Sequence, residues 1–178
     1  MLKQITRFNQ IKLIPNSLIV LDIDETIIKF DNINKKWWCN TFDKHYYITK
    51  DHNHADNLSL DEWISYVTIT QPKLVDDEII NWFDLTNKHN CDLIFLTARN
   101  KNLKDITNLH FDKVNLSIDK TKIYFNQNKG NELFNIVNKE YSHTQNIIVV
   151  DDLKYNLIDI QNKFIDTSFN LHLYKMIP

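Results

Sequence analysis

Three short runs constrain this chain most: LIVLDI at residues 18–23, LIFLTA at 93–98 and NIIVVDD at 146–152. Each is rich in branched side chains and apolar at successive positions, so an extended strand there is oily on both faces. A sheet with water on one side has no use for such strands. A parallel sheet with helices over both faces does. Shorter strand candidates are KIYF at 122–125 and LHLYKM at 171–176. Around them, EIINWFDLTNKH (78–89), LKDITNLHF (103–111), ELFNIVNKEY (132–141) and LIDIQNKF (157–164) repeat apolar residues at three-to-four spacing, the period of a helix with one buried face. The alternation predicts a three-layer α/β/α, Rossmann-like fold with a doubly wound parallel sheet, whose ligands sit at the carboxyl ends of the strands.

At 178 residues the chain has room for one domain with a real core, with or without a small insertion. Hydrophobic residues at 43% and charged residues at 25% give the balance of a soluble globular protein. A net charge of -2 argues against a general binder of long nucleic acid, which needs excess Lys and Arg on one face. MLKQITRFNQIKLIP is too short and interrupted in its apolar part for a secretory segment, and no membrane-length apolar run occurs after it. The expectation is a soluble, cytoplasmic protein with no membrane partner. Cys39 and Cys91 share no CxxC spacing and read as reduced core thiols. Abundant Asn, Ile and Lys beside a single glycine fits AT-rich coding and says little about fold.

The first strand runs into acids without a glycine or proline to turn it. Asp22 and Asp24 are two positions apart, so extended backbone sends both carboxylates to one side, where like charges repel. A divalent cation, a shared proton or nearby Lys and Arg offsets such a pair. The competing reading is that Asp24 or Thr26 merely caps the next helix. Other strand ends weigh against it: Thr97 closes LIFLT, Asp151 and Asp152 close the third strand with Asn156 just beyond, and Lys129 precedes the lone Gly130 at a helix start. Carboxylates, a hydroxyl and an ammonium are thereby expected in one crevice.

DIDET (22–26), LIFLT (93–97), Lys129 within NKGNEL and IIVVDDLKYN (147–156), in this order, resemble the four motifs of the haloacid dehalogenase superfamily of Mg-dependent phosphohydrolases. The DxDxT form is similar to the phosphatase branches. The resemblance implies Asp22 as nucleophile, Asp24 as general acid and base, Thr97 as a donor to a phosphoryl oxygen, and Lys129 as the cation that offsets charge. It further implies Mg²⁺ held by Asp22, the backbone carbonyl of Asp24, and Asp152. Asp151 stands where many members have glycine, and Asn156 where many have Asp; Asp151 is expected to bond Lys129 or a metal-bound water. Gly130 is expected to allow a close approach or a turn.

The long stretch between Asp22 and Thr97 is where this superfamily inserts a cap. Residues 31–75 are accordingly read as a small, mostly helical cap, with 1–30 and 76–178 as the core. Trp37, Trp38, Phe42, Tyr46, Tyr47, Trp63 and Tyr66 are expected mainly to form its own packing, or else to stack on a substrate. Ser59 with Glu62 reads as a capping box, and the histidines of HNH (52–54) as solvated in a polar loop rather than as zinc ligands. Glu25 is expected to cap the next turn, and Arg99 either to touch a second anionic group of a substrate or to pair with a surface carboxylate. The reading is a phosphomonoesterase acting on a small phosphorylated substrate. The alternatives are a catalytically idle domain that binds a phosphorylated ligand or protein, and a phosphotransferase. Substrate identity and oligomeric state are not encoded in any of these motifs.

Overall fold

The computed structural model describes residues 2–178. The chain order is β1 (Lys3–Ile5), β2 (Leu18–Leu21), β3 (Ile28–Lys29), α1 (Lys35–Thr49), α2 (His52–Ile69), β4 (Lys73–Leu74), α3 (Ile79–Lys88) and β5 (Asp92–Thr97). It continues with α4 (Lys104–Lys113), β6 (Ile123–Phe125), α5 (Lys129–Glu140), β7 (Asn146–Asp151), α6 (Lys154–Lys163) and β8 (Asn170–Met176). Six strands pair in parallel in the order β1-β8-β7-β2-β5-β6. This is the doubly wound α/β sheet that the continuous apolar runs predict.

The strand period of two divides the core cleanly. Ile19 and Leu21 of β2, Phe95 of β5 and Ile148 and Val150 of β7 bury with Ile79, Trp82 and Phe83 of α3 and Phe111 of α4. Their neighbours Leu18, Val20, Ile94, Leu96, Ile147 and Val149 face the other way, onto Leu133, Ile136 and Val137 of α5 and Leu157 and Ile160 of α6. Two opposed cores of branched side chains hold the sheet between helices, which is why neither strand face could be polar.

The chain leaves β2 toward β5 and β6 on one side, then crosses to β7 and β8 on the other, so the order reverses beside β2. In register, Leu21 lies opposite both Phe95 and Val150. The next residues, Asp22, Leu96 and Asp151, are therefore neighbours across three strands. A crevice at such a reversal is where α/β sheets bind ligands.

Beyond β2 the chain forms a short antiparallel pair, β3 with β4, and between these lies the helical hairpin α1–α2. Asn34 caps α1, accepting from the Lys36 and Trp37 amides, and Asp51 caps α2, accepting from the His54 amide. The capping box expected at Ser59 is corrected: Ser59 is buried in mid-helix and donates to the Ala55 carbonyl. Glu62 instead ties the two helices together, 2.8 Å from Lys44 and 3.0 Å from His45. HNH is no loop either, since it forms the first turn of α2, with His52 packed on Phe42 at 4.8 Å. Trp37 meets Tyr66 edge-on at 5.5 Å and Phe42 stacks on Tyr46 at 5.9 Å, whereas Tyr47 is exposed.

Both cysteines are free; Cys91, half-buried before β5, packs against the core, whereas Cys39 is exposed on α1 and is no core thiol. Strands β1, β3 and β4, at two or three residues, carry too little periodicity to be seen in sequence. Among the described residues six non-glycine residues have positive φ, and four of them are Asn16, Asn32, Asn90 and Asn115. Asparagine tolerates the left-handed region through its short polar side chain, which explains how so glycine-poor a chain turns. No helix of the described residues is long and apolar enough to cross a membrane.

Candidate active site

The question left by β2 is what turns it. Glu25 does, at φ 56°, a left-handed conformation that is strained for a side chain of its size. Its amide donates to the Ile28 carbonyl at 2.8 Å and the Ile28 amide donates back to Ile23, closing a tight loop under the acids. Asp22 stays in line with the sheet, its amide donating to Val150. Thr26 is fully buried, and its hydroxyl has no hydrogen-bond partner among the described residues.

The Lys129 ammonium, 2% exposed at the start of α5, donates to Asp22 Oδ1 at 2.6 Å and to Asp151 Oδ2 at 2.7 Å. Burial opposes its charge, yet Asp22 and Asp151 more than offset this and hold the amine above its ordinary value. Asp151 is 1% exposed and fully engaged, accepting also from the Leu153 amide and from Asn156 Nδ2. Asn156 thus acts where an acid would have added another buried charge. Asp151 positions Lys129, as expected.

Asp22, Asp151 and Asp152 bring carboxylate oxygens within 4.8 Å of one another. One lysine faces three acids. Burial pushes the Asp22 carboxyl up to about 7, with Asp151 and Asp24 adding repulsion that Lys129 partly relieves. Burial likewise pushes Asp152 up to about 8, aided by Asp22 and Asp151. Asp152 accepts no hydrogen bond among the described residues, and neither does the Asp24 carbonyl from the backbone. The clustered carboxylates of Asp22, Asp151 and Asp152 form an all-oxygen donor set, the kind a hard divalent cation takes. These residues fit the ion.

Asp24 turns elsewhere. Arg99 grips both its oxygens, Nη2 to Oδ1 at 2.7 Å and Nε to Oδ2 at 2.8 Å, and its side chain is 1% exposed. The two aspartates that extended backbone would set side by side are each met by a separate cation. Arg99 also donates to the Thr107 hydroxyl at 3.0 Å and sits 3.1 Å from His110 Nδ1. Thr97, at the end of β5, is buried, and its hydroxyl oxygen accepts from the Arg99 amide at 3.1 Å, leaving its proton free to donate.

Gly130 serves close approach and not a turn. Its φ is not positive, and an added Cβ would stand 2.6 Å from Asp159 Oδ2 and 2.9 Å from the Asp159 carbonyl, where α5 crosses α6. An open cleft of about 770 Å³ borders the acids; Glu25 and Asp152 line it together with Lys35, Lys36, Lys154 and Lys175. Asp22, Asp24, Thr97, Lys129, Asp151 and Asp152 all lie at this end of the sheet. Arg99 pairs with a carboxylate, but not the surface one expected: it is buried and its partner is Asp24 itself, while His110 carried no signal at all.

A family model described as a protein of unknown function (DUF2608) matches residues 2–126, spanning the Asp22 and Asp24 turn and β5 but ending before Lys129. No curated protein matches the chain. Among solved structures the chain is similar to the Class C acid phosphatase from Bacillus anthracis, at 18% identity and a TM-score of 0.49, covering 90% of this chain and 66% of that one. The tungstate-bound form of that phosphatase is matched at 18% identity and a TM-score of 0.48, over 92% and 68% of the two chains. The chain thus spans about two thirds of that phosphatase's length.

Proposed function

The chain belongs to the DUF2608 family, and we propose that it is a Mg²⁺-dependent phosphohydrolase of haloacid dehalogenase type, cleaving a phosphomonoester through an aspartyl phosphate on Asp22. The observation that carries this reading is the buried Lys129 ammonium bridging Asp22 and Asp151, with Asp152 alongside, at the sheet's reversal point. A purely structural core has no use for three clustered acids that cannot all be charged without an added cation.

Asp22, Asp152 and the Asp24 carbonyl would hold Mg²⁺, and when bound the ion offsets the charge gathered by the carboxylates and the phosphoryl group. An Asp22 oxygen attacks phosphorus; the new O–P bond forms as the bond to the leaving oxygen breaks. Asp24 gives its proton to that oxygen. Thr97 donates its hydroxyl to a phosphoryl oxygen, and Lys129 neutralises the nucleophile's charge as it shifts onto phosphate. Water then attacks phosphorus, Asp24 takes its proton back, and Asp22 is released with inorganic phosphate. The α1–α2 hairpin is the cap that limits water at the crevice, residues 31–75, set into a core of 1–30 and 76–178. Lysines along the cleft draw in a small anionic substrate from a cytoplasmic pool.

Turnover of p-nitrophenyl phosphate with and without Mg²⁺, in wild type and Asp22→Asn, tests the reading. Phosphate release that needs both the ion and Asp22 is expected. One observation favours a binding module instead: Arg99 already donates to each Asp24 oxygen, leaving one lone pair on each. Tight binding of a phosphomonoester with no release from a broad panel would establish that alternative.

A further inference from the structure

Arg99 is held from the hairpin side by two groups one helical turn apart on α2. The Trp63 ring covers the guanidinium, with its centre 5.5 Å from the guanidinium carbon. Val67, four residues on, reaches Arg99 through His110: the ring Nε2 lies 2.8 Å from the Val67 carbonyl and Nδ1 lies 3.1 Å from Arg99 Nη1. An arginine only donates and a carbonyl only accepts, so the imidazole has one workable form, accepting at Nδ1 and donating from Nε2. His110 is fully buried. Burial, and then the Arg99 charge, push its pKa down to about 4, so the ring stays neutral and keeps that form. Thr107, on α4, accepts a further hydrogen bond from Arg99 Nη1. Every Arg99 contact beyond Asp24 is thus made by buried groups or by the hairpin, and the fork that remains points at the carboxylate.

We propose that Arg99 and His110 are positioning residues that transmit the seating of the α1–α2 hairpin to Asp24, so that the proton donor is aligned only when the hairpin is docked. This rests on Asp24 acting as the general acid of the proposed reaction. Each carboxylate oxygen has two lone pairs, so the fork leaves room on Asp24 for the proton that passes to the leaving oxygen as the P–O bond breaks. Without His110, Nη1 keeps only Thr107 and α2 loses this tie to α4; the guanidinium is held less firmly and the fork loosens.

Leaving groups separate this role from a merely structural one. An alkoxide leaves poorly without a proton, whereas p-nitrophenolate leaves well without one. Steady-state kinetics on glycerol phosphate and p-nitrophenyl phosphate would therefore be measured in wild type, His110→Leu, His110→Gln and Thr107→Val, with thermal melting of each. General acid catalysis contributes about 100-fold or more, so His110→Leu should cut kcat on glycerol phosphate at least about 10-fold more than on p-nitrophenyl phosphate. Glutamine can accept from Arg99 and donate to Val67, and His110→Gln should bring the two losses within about threefold of each other. Should His110→Leu fail to fold, Thr107→Val, which unpairs only an Arg99 donor, should show the same bias at smaller size. Equal losses on both substrates in folded variants would overturn the proposal while leaving the phosphatase reading intact. A wild type that releases no phosphate from any monoester would instead remove the reading beneath it.

Discussion

Stripping the divalent cation from this protein should expose a charge conflict whose size depends on pH. Burial holds Asp22 at about 7 and Asp152 at about 8. In the unfolded chain such carboxyls titrate near ~4. Folding without the cation therefore takes up protons. The contribution of each group is complete below about pH 4 and is lost as pH rises through its folded value, so the cation-free protein should weaken between about pH 4 and about pH 8. For Asp22 alone this is on the order of 4 kcal/mol.

Mg²⁺ held at these acids would take only the charged carboxylates and so would compete with those protons. Both acids give up their protons more readily at about pH 8 than at about pH 6, where they largely hold them, so the apparent Mg²⁺ affinity should be weaker at about pH 6 by about 100-fold or more. A Mg²⁺ concentration about 100 times its Kd at the higher pH adds about 2.7 kcal/mol. For a domain of this size that raises Tm by about 5–11 °C. The same concentration at the lower pH should leave Tm nearly unmoved. Differential scanning fluorimetry in EDTA and in Mg²⁺, in wild type and Asp152→Asn, reads both limbs. A Mg²⁺ shift as large at the lower pH as at the higher, or one that survives Asp152→Asn undiminished, refutes a cation site built on these acids.

Lys129→Met leaves Asp22 and Asp151 buried without their shared cation; in EDTA it should cost about 3–5 kcal/mol by urea unfolding near neutral pH. Gly130→Ala drives a methyl to within 2.9 Å of the Asp159 backbone carbonyl, which cannot swing aside as a side chain can, and should cost about 1–3 kcal/mol by the same measurement. Asp51→Ala removes the cap of α2 and should cost that helix about 0.5–2 kcal/mol, seen as faster amide exchange in its first turn with β2 and β7 unchanged.

The fold and the site were legible in sequence only as far as each signal stays local along the chain. β2, β5 and β7 declare themselves because being buried on both faces demands uninterrupted branched residues, a demand written locally at each position. Acids at the ends of such strands are anomalous for the same reason, and so Asp22, Asp151 and Asp152 stood out. Ser59 misled because a serine three residues before a glutamate looks alike at a helix start and in mid-helix; only Asp51, eight residues earlier, decides it. The grip of Arg99 on Asp24 joins residues 75 positions apart, and its link to Val67 passes through a histidine with no flanking motif. Such contacts are set by how α2, α4 and β5 pack, which no local pattern encodes. Gly130 was half legible: scarcity marked it, while the approach of α6 that requires it lies in three dimensions.

The most direct test of an Asp22 nucleophile is to mix the protein with a phosphomonoester and Mg²⁺, quench in acid within one turnover, and map the peptides by mass spectrometry. A phosphoryl group on the peptide holding Asp22, lost in Asp22→Asn together with turnover, is the predicted result. Turnover that persists in Asp22→Asn, or a phosphoryl adduct mapped to any other residue, would contradict it.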